Sequence, residues 1–261
     1  MLKLSANLSF LFQEHEFLNR FEAASKAGFR YVEYMFPYPY EATVLKEKLD
    51  QHNLKQTLLN FPAGNWDGGE RGIAVLPGRQ VEFKEGVSKA LEYANTLQVP
   101  FINCLVGKGD ESISHETQQE CLKENLTYAA KQLAQHDITL LIEPINTYDI
   151  PGFFLNESGQ VIDLINTLDQ PNIALQYDVY HMQKMEGNLA ETLAQQLANI
   201  GHIQIADNPG RHQPGTGEIN YPYLFKHLEA LDYDGFVGLE YAPDPDTLSS
   251  FDWIRRYELT L

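Results

Sequence analysis

The sequence predicts an α/β protein that forms a single-domain (β/α)8 barrel, and three observations predict it. Eight short apolar runs of strand type alternate with segments whose apolar residues recur every three or four positions. Eight strand–helix units of roughly 30 residues fit a (β/α)8 barrel, which typically has about 250 residues. The alternative, a doubly wound open sheet, usually has a glycine-rich turn after strand one, and here "ANLSFLF" has no glycine. We therefore expect one domain over residues 1–261.

The predicted strands are short runs that are too brief for helices and are bounded by turn residues or by helical patterns. In chain order they are "LKLSANL", "YVEYMF", "KQTLLNF", "FINCLVG", "ITLLIEPI", "IALQYDV", "HIQIA" and "FVGLEYA".

The predicted helices lie between these runs and show apolar residues on one face. The residues that carry this spacing are Phe17, Leu18, Phe21 and Ala24, then Leu122, Leu126, Ala129, Ala130 and Leu133, then Leu193, Leu197 and Ile200, and finally Leu224, Phe225, Leu228 and Leu231. We expect Gly28 to end the first helix and Asn220 to cap the helix that begins near Tyr221.

Three connections that follow predicted strands are unusually long, namely "FPAGNWDGGERGIAVLPGRQ", "NTYDIPGFFLNES" and "ADNPGRHQPGTGEIN". In a (β/α)8 barrel the loops after the strands form the catalytic face. These loops carry Trp66, Arg71, Phe153 and Arg211, so they are typical of lids or of loops that contact a substrate.

The charge of the chain argues against several classes of partner. With 19 basic and 36 acidic residues the net charge is −17, whereas a nucleic-acid surface needs clustered Lys and Arg. An anionic membrane surface is disfavoured for the same reason. We therefore expect a small-molecule substrate, with no nucleic-acid or membrane partner, and the sequence leaves the oligomeric state open.

The cysteines and the N-terminal segment indicate a reduced, cytoplasmic protein. Cys104 and Cys121 are too few for a disulfide framework, and each lies in an apolar run where it is expected to pack. The segment "MLKLSANLSFLFQEHEF" lacks the layout of a signal peptide. No apolar run reaches the roughly 18–20 residues that cross a bilayer.

Oxygen-bearing side chains lie at or near the ends of the last four predicted strands. They are Glu143, Asp178, Gln204 and Glu240. Strand ends in a closed barrel converge on one mouth, where three carboxylates would repel one another unless protonated or neutralised by a cation. Carboxylate and amide oxygens without thiolate or imidazole favour Mg²⁺ or Mn²⁺ over Zn²⁺. The spacing therefore predicts a divalent cation at this mouth.

Four further residues are candidate substrate contacts. His181 lies just beyond the strand that ends in Asp178, and Arg211 lies in a glycine-rich loop where a guanidinium suits a substrate carboxylate. Arg71 and Lys108 are weaker candidates for the same role.

Two other polar residues are expected to be structural. Glu33 follows a strand but lacks acidic companions nearby in the sequence, so we interpret it as structural or as lying behind the site. His202 precedes Gln204 by two residues and is expected to pack deeper in the barrel.

Six segments carry a resemblance to a known family, namely "ANLSFLF", "GERGIAVLPGR", "LLIEPIN", "IALQYDVYHMQKMEGNL", "HIQIADNPGRHQPGTGEINY" and "GLEY". They resemble the hydroxypyruvate isomerase family of xylose-isomerase-like TIM barrels. The resemblance implies an isomerase that interconverts hydroxypyruvate and 2-hydroxy-3-oxopropanoate. It also implies that Glu143, Asp178, Gln204 and Glu240 bind the metal and that Glu143 and Glu240 are the acid/base pair. 2-Oxo-tetronate isomerase is similar but ranks second, and sugar epimerases usually have a histidine where Gln204 stands.

The implied reaction moves a proton between adjacent carbons through an ene-diolate, so it needs a base, an acid and stabilisation of negative charge on oxygen. A metal-assisted hydride shift is the alternative chemistry. Three other classes stay open: an apurinic-type endonuclease, which the charge and the scarcity of histidines disfavour, a non-catalytic sugar-acid binding protein, and a lyase such as an inosose dehydratase.

Overall fold

A computed structural model of the chain describes residues 2–261, so Met1 of the predicted 1–261 domain lies outside the described residues. Its parallel strands follow the predicted runs. They are β1 (Lys3–Asn7), β2 (Tyr31–Glu33), β3 (Lys55–Gln56), β4 (Leu58–Asn60), β5 (Phe101–Cys104), β6 (Thr139–Ile142), β7 (Ile173–Asp178), β8 (Ile200–Ile205) and β9 (Phe236–Leu239). The (β/α)8 barrel is confirmed, and the doubly wound sheet is excluded.

The barrel closes through a strand that is interrupted at one residue. The sheet order is β3-β2-β1-β9-β8-β7-β6-β5-β4, and β3 and β4 are separated only by Thr57. The backbone N–H of Thr57 donates to Val32 O at 2.8 Å, and that of Asn60 donates to Met35 O at 2.8 Å. These bonds join the two ends of the sheet, so β3 and β4 together fill the third of the eight predicted strand positions.

The helices surround the barrel and bury their apolar sides against it. They are α1 (Phe17–Lys26), α2 (Ala42–Gln51), α3 (Gln80–Leu97), α4 (His115–Ala134), α5 (Ser158–Leu168), α6 (Val179–Met185), α7 (Leu189–Gln196), α8 (Tyr221–Ala230) and α9 (Asp252–Arg256). Within residues 2–261, none of these helices combines the length and the apolar character needed to span a bilayer.

The predicted helix ends are confirmed in two places and wrong in one. Gly28, with φ of 106°, donates to Ser25 O after α1, and the Asn220 side chain accepts from Tyr223 N at 3.3 Å at the start of α8. The pattern that continued to Leu197 and Ile200 overshoots, because α7 ends at Gln196, a 3₁₀ turn follows and Ile200 begins β8. Apolar residues at the start of a buried strand can extend a helical spacing by chance.

Polar side chains inside the barrel contact one another from strand to strand. Alternate residues of a strand face the same side, so residues of neighbouring strands pair within the barrel. The pairs include Asn7 with Glu33 and Gln176 with Gln204 on neighbouring strands, and Ser5 with Thr57 across β2. All of these side chains are buried. Cys104 and Cys121 are also buried and free, as expected for packing residues.

Candidate active site

A cavity of about 270 Å³ opens on the face where the strands end. Its lining combines carboxylates, cations and aromatic rings from loops that follow different strands: Phe10, Met35, Asn60, Trp66, Arg71, Leu105, Glu143, Ile145, Asp149, Ile150, Gln176, His181, Arg211 and Glu240. A concave site with convergent charged groups on this face is where a barrel enzyme is expected to bind its substrate.

The structure brings the four strand-end residues together. Glu143 and Glu240 line the cavity, while Asp178 and Gln204 are fully buried and contact residues that line it. The Nε2 group of Gln204 donates to Glu240 Oε2 at 2.6 Å. Asp178 Oδ2 lies 3.7 Å from Nη2 of Arg211, which also donates to Glu240 Oε1 at 2.7 Å.

An asparagine on the neighbouring strand holds each of the two glutamates. Nδ2 of Asn103, on β5, donates to Glu143 Oε2 at 3.0 Å, and Nδ2 of Asn7, on β1, donates to Glu240 Oε2 at 2.9 Å. Both asparagines are buried. Because an amide NH2 is a fixed donor, each glutamate has one oxygen oriented before any substrate binds.

Glu33 belongs to this network, although it has no acidic residues nearby in the sequence. Its Oε1 accepts from Nδ2 of Asn7 at 3.1 Å and from Nε2 of Gln204 at 2.8 Å, and its Oε2 lies 2.9 Å from Nε2 of His202. The companions come from other strands, which sequence proximity does not reveal. Glu33 lies behind the site, in agreement with its interpretation from the sequence, and His202 is fully buried as predicted.

The pKa values of the two glutamates differ from those of exposed carboxyls. Burial raises the pKa of Glu143 well above its ordinary value, and the nearby Glu240 and Asp178 carboxylates raise it further. Burial also raises the pKa of Glu240, while the Arg211 guanidinium acts in the opposite direction. Two glutamates with raised pKa in one cavity can exchange protons with a substrate near neutral pH.

The carboxylate cluster fits a divalent cation. Glu143, Asp178 and His181 each offer a ligand atom, and these atoms lie within 4.8 Å of one another. Asp178 Oδ2 is buried and has no hydrogen-bond partner among the described residues. Such an atom is costly to bury unless a cation neutralises it. Gln204 is the register partner of Asp178 on β8, but its Oε1 accepts from Nε2 of Gln176 at 2.7 Å, so the oxygen predicted to bind the cation is already engaged.

His181 lies inside the carboxylate cluster. Its Nε2 is 3.8 Å from Glu143 Oε1 and 3.6 Å from Asp178 Oδ2. The ring is buried, and burial lowers the pKa of His181 to about 4. The sequence predicted His181 as a substrate contact and predicted no imidazole among the metal ligands. The position of Nε2 between two carboxylates is compatible with either role, as a metal ligand or as a substrate contact.

Arg211 and Arg71 both line the cavity, but Arg211 pairs with carboxylates whereas Arg71 stacks on an aromatic ring. Arg211 faces two carboxylates and lies 5.0 Å from the centre of the Phe10 ring and 5.2 Å from that of Tyr180. Arg71 has its guanidinium 4.0 Å from the centre of the Trp66 ring and donates to the backbone O of Trp66 at 2.9 Å.

Lys108 is not brought to the cavity lining. Its Nζ donates to Gly69 O at 3.0 Å and so holds the 61–79 loop. Gly72, in the same loop, has φ of 112° and approaches the backbone of Leu105 so closely that any side chain would overlap it. The loop that carries Arg71 is therefore fixed from both sides.

Gly238 leaves the space that the Glu33 carboxylate fills, because a Cβ at this position would overlap that carboxylate. We expect Gly238→Ala to displace Glu33 and to lower the free energy of unfolding by about 1–3 kcal/mol, the usual cost of overpacking a core. Denaturant titration measures this loss. The control Gly159→Ala lies in the first turn of α5 with nothing within 4 Å, so it should be neutral or slightly stabilising. Equal effects of the two substitutions would contradict the assignment.

The chain is similar in sequence and in fold to several known proteins. A family model described as xylose isomerase-like TIM barrel matches residues 21–257. Hydroxypyruvate isomerase of Escherichia coli K12 is 53% identical over 257 residues, which are 98% of this chain and 100% of that protein. 2-Oxo-tetronate isomerase of Cupriavidus necator is 42% identical over 98% of this chain and 99% of that protein. A crystal structure described as an AP endonuclease, family 2, from Brucella melitensis superimposes with a TM-score of 0.96 at 43% identity, covering 98% of this chain and 99% of that one.

Proposed function

The chain belongs to the xylose isomerase-like TIM barrel family, and from that premise we propose that it interconverts hydroxypyruvate and 2-hydroxy-3-oxopropanoate. It is an enzyme of the sugar-acid isomerase type, as the resemblance predicted. The observation that carries the proposal is the pair Glu143 and Glu240, two buried glutamates with raised pKa that line one cavity.

The two glutamates are suited to move one proton. They follow β6 and β9, which are separated in the barrel by β7 and β8, so they approach a bound substrate from different sides. The ionised member removes the proton from the hydroxyl-bearing carbon and the protonated member supplies one to the adjacent carbonyl carbon, while the hydroxyl proton passes to the former carbonyl oxygen. Arg211 holds the charge of Glu240 when that group is ionised, and Asn7 and Asn103 keep both carboxylates in place.

Glu143, Asp178 and Glu240 would hold the divalent cation, for which Mg²⁺ or Mn²⁺ suits the oxygen donors. Gln204 would join them only after its Oε1 leaves Nε2 of Gln176, from which it accepts at 2.7 Å. When bound, the cation stabilises negative charge on the substrate oxygens during proton transfer. Asp178 Oδ2 supports this assignment, because it is buried without a hydrogen-bond donor among the described residues, and the Arg211 guanidinium 3.7 Å away is shared with Glu240.

Arg71 is the better candidate to bind the substrate carboxylate, which reverses the order that the sequence suggested. Arg211 is already engaged by Glu240 and lies close to Asp178. Arg71 lines the cavity, stacks on Trp66 and donates to the backbone oxygens of Trp66 and Glu70, neither of which carries a full charge. Its guanidinium can therefore pair with an incoming carboxylate.

We expect Arg71→Gln to raise KM for hydroxypyruvate by about 10–100-fold with a smaller change in kcat, because a hydrogen bond to a charged group contributes about 1.5–3 kcal/mol. Initial-rate kinetics over a wide substrate range give the two constants. Lys108→Gln is a matched control, since Lys108 holds the same loop without lining the cavity. A KM that rises only in Lys108→Gln would move the carboxylate site to Lys108.

The substrate is tested directly by an NMR-monitored assay of hydroxypyruvate against 2-oxo-tetronate, with and without Mn²⁺. We expect metal-dependent conversion of hydroxypyruvate to be the faster reaction, since identity to the three-carbon isomerase is 53% and to the four-carbon isomerase 42%. Faster conversion of 2-oxo-tetronate would reassign the substrate. No conversion of either would favour a non-catalytic binding protein, and loss of water from the product would favour a lyase.

The remaining predictions from composition stay predictions: a cytoplasmic location and the absence of nucleic-acid and membrane partners. The endonuclease description of the Brucella structure is not carried over, because His181 is the one histidine among the described residues that line the cavity.

A further inference from the structure

The side chain of Asn146 joins His181 to the loop that follows β6. Asn146 Oδ1 accepts from the backbone N–H of Asp149 at 2.8 Å. Its Nδ2 donates to Asp149 Oδ2 at 3.0 Å and lies 2.6 Å from Nδ1 of His181. Asn146 and His181 are both buried, so water does not compete for these bonds.

These contacts fix which way the Asn146 amide points. A backbone N–H can only donate, so the atom that faces Asp149 N must be the amide oxygen. The other end of the amide is then the NH2 group, which has two hydrogens. One is taken by the Asp149 carboxylate, and the second points at His181.

The orientation of the amide in turn fixes the tautomer of His181. Since the Asn146 NH2 can only donate, Nδ1 of His181 must accept and carries no proton. The single proton of the neutral ring is therefore on Nε2. That nitrogen is the one that lies between Glu143 Oε1 and Asp178 Oδ2, at 3.8 Å and 3.6 Å.

We propose that Asn146 is a positioning residue that fixes His181 as its Nε2–H tautomer, so that the ring donates a hydrogen bond into the cavity and does not bind the cation. A nitrogen that carries a proton has no lone pair for a metal, whereas it can donate to an oxygen of the substrate. The role toward substrate rests on the proposed isomerase function. The tautomer itself does not.

The surroundings keep Asn146 in this role. Asp149, which sets the amide, is held by the hydroxyl of Tyr180 at 2.7 Å and by Nζ of Lys184 at 2.8 Å. Tyr180, His181 and Lys184 all lie on α6, so one short helix presents both the ring and the groups that orient its partner. The charged groups that face the ring are Glu143 and Asp178 at Nε2, with Arg211 beyond them.

The tautomer is measured by two-bond ¹⁵N–¹H correlation NMR of the full-length protein, loaded with diamagnetic Mg²⁺, above neutral pH. The chain has 8 histidines, and the signals of His181 are assigned by their loss in His181→Gln. We expect the pattern of an Nε2–H ring in the wild-type protein. An Nδ1–H pattern would overturn the proposal whether or not the protein turns over any substrate.

Asn146→Asp tests the cause, since it replaces the NH2 that faces Nδ1 with an acceptor oxygen at the same place. We expect His181 to gain a proton at Nδ1 and kcat to fall about 10–100-fold, because the ring then no longer presents a fixed Nε2–H donor to the substrate. The control Tyr180→Phe removes another donor to Asp149 but leaves Asn146 and the ring intact, so the Nε2–H pattern should persist. An unchanged ¹⁵N–¹H pattern of His181 in Asn146→Asp would contradict the proposed role of Asn146.

Discussion

Glu143→Gln and Glu240→Gln should each lower turnover by at least about 10²–10⁴-fold, the contribution of a general acid or base. An amide cannot accept or supply the proton that the reaction moves. Glu143→Gln is the cleaner change, because among residues 2–261 Glu143 has one hydrogen-bond donor, Asn103, which the oxygen of glutamine can still satisfy. Among residues 2–261, Glu240 accepts from three donors. In Glu240→Gln the new NH2 group faces at least one of these donors, so this variant should also have a lower free energy of unfolding.

The control for this pair is Glu14→Gln, which alters a carboxylate that accepts from Thr247 away from the cavity. Its turnover should match that of the wild-type protein. Isomerisation in D₂O then separates the two chemistries, since deuterium on the product carbon indicates proton transfer and its absence favours a hydride shift. Full activity in both Glu143→Gln and Glu240→Gln would remove the two glutamates from the mechanism.

Asp178→Asn should abolish tight binding of the divalent cation with little loss of fold. Asp178 Oδ1 caps α6 by accepting from Tyr180 N at 2.8 Å, and asparagine is as good a cap as aspartate. The substitution turns Oδ2, the buried oxygen with no hydrogen-bond partner among residues 2–261, into an NH2 group that cannot bind a metal.

The measurement is the change in melting temperature on adding Mn²⁺. Saturation to 100 times Kd stabilises the wild-type protein by about 2.7 kcal/mol. That amounts to a rise of about 5–10 °C for a chain of this size. We expect Asp178→Asn to show no such rise, while Asp246→Asn, a change in a carboxylate away from the cavity that accepts from Ser249 N, should keep it. A metal-dependent rise that survives in Asp178→Asn would show that the cation is held elsewhere.

The sequence by itself determined the barrel fold and the end of the barrel at which the site lies. Strand-type runs and helical spacing are local properties, and eight repeats of them leave few arrangements for 261 residues. Closure of the barrel then brings Glu143, Asp178, Gln204 and Glu240 to one place without any knowledge of their contacts. One predicted helix extended too far, to Ile200, because after a 3₁₀ turn a buried strand begins at that residue and its apolar side chains continue the helical spacing.

Only the tertiary structure decided which groups control these residues. Asn7 and Glu240 are 233 positions apart, and Gln204 and Glu33 are 171 apart. Buried amides at such separations leave no periodic signal, because a hydrogen bond depends on direction and on a distance near 3 Å. The same holds for Asn146, whose effect on His181 follows from which of its two ends faces a backbone N–H. Sequence patterns locate strand ends, whereas donors and acceptors are assigned only when the barrel has brought them into contact.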